Sequence, residues 1–144
     1  MASGHCTDAI FVLTVAPLAY RMLYNLRDTI YDPEIMTADE FRQIALSFPG
    51  TGESLHMDHP DFRVCGKIFA TLGPDLNWGM AKLTPDQQQV FLRNEPQTFK
   101  PANGKWGEQG ATIITLASAD DDTVRQALRS AWRNTAPKEL LESI

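Results

Sequence analysis

The sequence predicts an α+β fold, an antiparallel sheet of about five strands with helices packed on one face. Three observations carry that reading. Helix-start signals at Thr37, Thr84 and Asp120 are separated by short segments rich in aromatic and β-branched residues. Those segments are punctuated by Gly, Pro, Asp and Asn, the residues of tight turns. No strand–helix–strand alternation, the signature of a parallel sheet, runs along the chain.

Taken in order, the first 35 residues differ from the rest. Leu18, Met22, Leu23, Leu26 and Ile30 recur at helical spacing before Asp32-Pro33 stops the pattern. Domain signals begin at Met36, where Thr37 and Glu40 form a capping box and Met36 can staple to Phe41. Residues 1–35 are therefore expected to be an N-terminal extension, either an over-long reading frame with the true start at Met36 or an additional helix. Residues 36–144 are expected to form a single domain.

After this cap, Phe41, Ile44, Ala45 and Phe48 make one apolar helical stripe that ends before Pro49-Gly50. Segments 53–57, 62–65, 67–72 and 78–83 read as strands. Gly66 at the first position of a Gly66-Lys67 loop predicts a type II′ hairpin. That register sets Cys65 opposite Ile68, Val64 opposite Phe69 and Phe62 opposite Thr71, with Arg63 and Ala70 on the other face. Thr84-Pro85-Asp86-Gln87 is a second helix start, with proline at the first helical position and the helix running to Asn94. Residues 100–110 read as a loop and 111–116 as the last strand. The final helix, from about Asp120 to Asn134, carries acids at its positive end and Arg133 and Lys138 at or near its negative end.

Composition bounds the function. A chain of 144 residues, 43% hydrophobic and 22% charged, can bury a core without metal or disulfide staples. A net charge of -5 supplies no global positive field, so any contact with nucleic acid must use a local patch. Cys6 and Cys65 are too few for a disulfide framework and fit a reducing cytoplasm as two thiols. The apolar run at residues 9–20 lacks a preceding Lys or Arg, contains Pro17 and is shorter than the roughly 20 residues a bilayer span takes. A cytoplasmic protein without membrane contact is expected.

His56, Asp58, His59, Asp61 and Cys65 crowd one stretch and suit zinc or iron by type. Pro60 disfavours helical geometry at His59, however, and residues 58–61 read as a turn. No metal site is assigned, because a further ligand cluster is missing. Cys65 reads as an inert strand thiol with no histidine to activate it. Walker, nucleophile-elbow and H-E-x-x-H patterns are absent, so no catalytic residue is assigned. Trp106-Gly-Glu-Gln-Gly110 is a glycine-framed turn that either holds a ligand or uses its tryptophan to pin the loop to the core. Arg125, Arg129 and Arg133 recur every four residues on the last helix, as a phosphate grip or as a solvated face.

MTADEFRQIALSFPGTGES, HPDFRVCGKIFATL, WGMAKLTPDQQ, WGEQGAT and AWRNTAPKEL, in this order and spacing, resemble the MmcQ/YjbR family of small bacterial proteins over about residues 36–144. The resemblance implies a CyaY-like fold, no enzymatic activity, no cofactor, and DNA binding through a double-wing arrangement of strands. By position, the wing hairpin is residues 62–72 with Arg63 and Lys67 exposed, and the next strand presents Trp78 and Lys82. With Trp106, Arg125, Arg129 and Arg133 these make up the expected DNA-binding set. Glu108 and Gln109 stand where many relatives carry basic residues. From Met36 onward, 11 basic side chains against 14 acidic ones leave about -3. The alternative function is a protein-interaction or small-ligand module that uses the sheet's open face or the Trp106 loop.

Overall fold

The computed structural model describes residues 36–142, and the expected N-terminal extension lies outside them. The elements in order are α1 (Ala38–Leu46), β1 (Thr51–His56), β2 (His59–Val64), β3 (Lys67–Leu72), β4 (Trp78–Lys82), α2 (Pro85–Asn94), β5 (Phe99–Pro101), α3 (Gly104–Glu108), β6 (Ala111–Thr115), α4 (Asp121–Thr135) and α5 (Lys138–Leu141). The strands form one antiparallel sheet in the order β1-β2-β3-β4-β6-β5. The fold is α+β as expected, with six strands where the sequence suggested about five. The additional one, β5, pairs with β6 over only three residues, too short a run to show alternation.

The helix starts follow from their caps. Thr37 and Glu40 close a reciprocal capping box, as do Thr84 and Gln87, and the Asp120 side chain accepts from the Thr123 N–H at 2.8 Å. Beyond these starts, packing decides. Phe41, Phe62, Phe69, Leu72, Ile114, Leu128 and Trp132 are fully buried where α1 and α4 cover one face of the sheet. Phe48 stacks on Trp132 and meets Phe69 edge-on, while the Trp132 indole N–H donates to Pro49 O at 3.0 Å. Edge strand β1 is exposed along most of its length and is tied back to α1 by Arg42, which donates to Glu53 at 3.0 Å.

Both hairpins depart from the expected register. In the first, Met57 and Asp58 form the two-residue turn at φ +51° and +71°. His56 then lies opposite His59, and His59, Pro60 and Asp61 belong to β2 rather than to the turn. In the second, the loop is Cys65-Gly66 at φ +50° and +84°, which sets Val64 opposite Lys67. Two left-handed residues in succession match the twist of the flanking strands, as in a type I′ turn. A β-bulge then places Phe62 opposite Ala70 and Arg63 opposite Ile68, with Phe69 as the additional residue. Phe69 and Ala70 are consequently buried in succession, Ala70 against Ala81, which the expected alternation did not allow. Cys65 is disulfide-bonded and not a reduced thiol, with its partner outside the described residues. Two distant cysteines carry no spacing from which such a pairing is read. Among the described residues no helix is long and apolar enough to cross a membrane.

Candidate functional site

Strand alternation decides what the sheet presents on the face opposite α1 and α4. Asp61 and Arg63 on β2 flank Phe62, which points into the core, and Lys82 on β4 follows buried Ala81. Pairing of Arg63 with Ile68 and of Lys82 with Ala111 carries this face across β2, β3, β4 and β6. At the end of the sheet where the β2–β3 turn, the end of β4 and the start of β6 meet, a cleft of about 730 Å³ opens. Arg63, Lys67, Lys82, Trp106, His56 and Asn134 are among its lining residues, and no Asp or Glu is.

Each wall is fixed differently. The Arg63 guanidinium donates to both oxygens of Asp61, at 2.9 and 3.1 Å, and the Asp61 side chain has no exposure to solvent. The hydrogen bond first, and then the charge of Asp61, raise Arg63 above the ordinary arginine range. Arg63 is therefore half-buried and engaged, in contrast to the exposed wing residue expected from the resemblance. Lys67 and Lys82 are exposed and make no ion pair among the described residues. Asn134, at the end of α4, donates to Lys82 O at 3.1 Å and to Gln87 Oε1 at 2.7 Å, locking the corner where α2, α4 and β4 meet.

Trp106 sits on α3 and is 66% exposed, so it does not pin its loop to the core. Other residues of that segment hold it. A Cβ on Gly107 would stand 1.8 Å from Ala102 O, and one on Gly110 would stand 1.9 Å from Leu83 O, so both positions admit only glycine. Buried Gln88 on α2 reaches across and donates to Gly107 O at 3.1 Å, Ala111 O at 3.0 Å and Thr112 Oγ1 at 3.1 Å. The indole is thus displayed at the cleft by a segment anchored on both sides.

Of the expected DNA-binding residues, the structure brings together Arg63, Lys67, Lys82 and Trp106. Trp78 lies elsewhere: its ring packs on Gly73, near the other end of β4. Arg125, Arg129 and Arg133 project from the outer side of α4, across the sheet from this face, and none lines the cleft. Arg125 pairs with Asp121 at 3.1 Å. Asn134 escaped the sequence reading, and His56, weighed there only as a metal ligand, lines the cleft instead. His56 has a legible signal in hairpin alternation, whereas Asn134 is positioned by a helix end whose docking no local pattern encodes. Among the described residues no group of three or more His, Cys, Asp and Glu is placed to hold a metal ion.

Comparison with known proteins gives the frame for this geometry. A family model described as YjbR matches residues 46–134. No curated protein matches the chain. Among solved structures, the crystal structure of Deinococcus radiodurans protein DR2400, with domain DUF419, is similar at a TM-score of 0.57 and 18% identity. That likeness covers 70% of this chain and 78% of the other, and it is one of fold.

Proposed function

We propose, from the premise that this chain belongs to the YjbR family, that it is a non-enzymatic DNA-binding protein whose contact surface is the cationic cleft. One observation carries the reading: a chain of net charge -5 lines this cleft with Arg63, Lys67 and Lys82 and with no carboxylate. Acidic residues that would repel phosphate are kept out of the lining of this cleft. Because the overall charge is negative, attraction is short-ranged and confined to the cleft. Binding is therefore weak and strongly dependent on salt.

The test is a titration of labelled DNA into the full chain at low and moderate salt. Affinity falls as salt rises, and Lys67→Ala and Lys82→Ala each weaken binding and reduce the salt slope by about one for each phosphate no longer neutralised. An absence of binding at low salt overturns the reading. The size of the cleft, about 730 Å³, also suits a small anionic ligand. That second reading gains if a metabolite panel raises the melting temperature while DNA does not.

A further inference from the structure

We infer that the cleft selects single-stranded nucleic acid over duplex, stacking an unpaired base on the Trp106 indole and holding the neighbouring phosphates with Lys67 and Lys82. The inference rests on the nucleic-acid reading above and sharpens it to a substrate class. Reading a duplex takes a protruding element that enters a groove, with cations at its tip. Here the β1–β2 tip carries Leu55 and Met57, exposed at 70% and 76%, and Asp58, an acid, while the β2–β3 tip, Cys65-Gly66, carries no charge and the Lys67 beside it lines the cleft. The cations line the cleft instead. They share a cleft with a large aromatic ring that is two-thirds exposed and has no ring partner among the described residues.

A cleft that combines cations with an open indole has little to offer a duplex, whose bases are already stacked and turned inward. It matches an unpaired strand, whose bases need a new stacking surface and whose phosphates need charge on either side. The fixed position of α3 strengthens the match, because the ring is already in place when the strand arrives and little ordering is needed on binding. Neither Arg63, engaged by Asp61, nor the self-capped start of α2 is required.

The experiment measures fluorescence anisotropy of a labelled single strand, a duplex of equal length and an abasic strand with the full chain at low salt. The single strand binds at least about tenfold more tightly than either competitor, and Trp106→Ala removes about tenfold of that affinity while Trp106→Phe retains most of it. Since Trp106 is mostly exposed, an unchanged melting temperature shows that these variants fold. Duplex or abasic strand binding as tightly as the single strand overturns the inference, and so does a Trp106→Ala variant with unaltered single-strand affinity. If duplex alone is bound, this inference fails and the DNA reading stands. If no nucleic acid is bound, both fail.

Discussion

Both carboxylate oxygens of Asp61 are held by the guanidinium of Arg63, two residues further along the same strand, at 2.9 and 3.1 Å. Removing the arginine leaves a fully buried carboxylate without its partner, so Arg63→Ala lowers the midpoint of thermal unfolding. Lys67→Ala and Lys82→Ala, both at exposed positions, change stability by less than about 0.5 kcal/mol. Arg63 is raised above its ordinary range, so its contribution is complete below that range and is lost only when pH rises through the raised value. Thermal melts of the wild-type chain therefore show no loss from this pair between neutral pH and mild alkali. A melt of Arg63→Ala indistinguishable from wild type would show that the pair is immaterial.

Gln88 donates to three acceptors from inside the protein, Gly107 O on the helix that carries Trp106 and Ala111 O and Thr112 Oγ1 at the start of β6. Gln88→Met keeps the length and removes the donors, and it costs about 1–3 kcal/mol by urea unfolding. The same variant loosens α3, so its affinity at the cleft falls although residue 88 does not line it.

Gly110 combines a φ of +114° with a carbonyl where its Cβ would stand. Gly110→Ala meets left-handed backbone strain of about 1–3 kcal/mol and overpacking of similar size. Urea midpoints should place it well below Gly66→Ala, which adds a Cβ into open space and carries the backbone strain alone.

Trp132 is buried, stacked on Phe48 and hydrogen-bonded to Pro49 O. Trp132→Phe leaves that carbonyl unpaired at a cost of about 1–3 kcal/mol, and Trp132→Ala costs about 3–5 kcal/mol through the cavity it opens. Equal losses for the two variants would argue that the indole N–H, not ring volume, carries the residue's contribution.

What was legible in the sequence follows from the range of the interactions involved. The boxes at Thr37 and Thr84 and the cap at Asp120 are local, three residues long, and each starts a helix where its residues say it should. The hairpins needed more. Gly66 signalled a turn, but its second loop position goes with a register in which Ala70 lies opposite both Phe62 and Ala81, pairings between strands that no short window contains. The bulge at Phe69 belongs to that register, whereas the engagement of Arg63 by Asp61 follows from Asp61 lying on β2, two residues before Arg63 on the same face. At the cleft, Lys67, Lys82 and Trp106 were recognisable by type, and their meeting was not. It depends on the path of the β5–β6 connection, fixed by Gln88 from a different helix.

Ala81 and Lys82 are adjacent in the chain and answer to different demands, one sealed against the helices and the other turned to the cleft. The sheet in this way acts as a partition between the part of the molecule that keeps its shape and the part that meets the outside. Lys67, Lys82 and Trp106 can be exchanged one at a time without disturbing Phe41, Leu72 or Trp132 on the far side. Such a chassis can be re-lettered for another cargo while its folding instructions stay as they are.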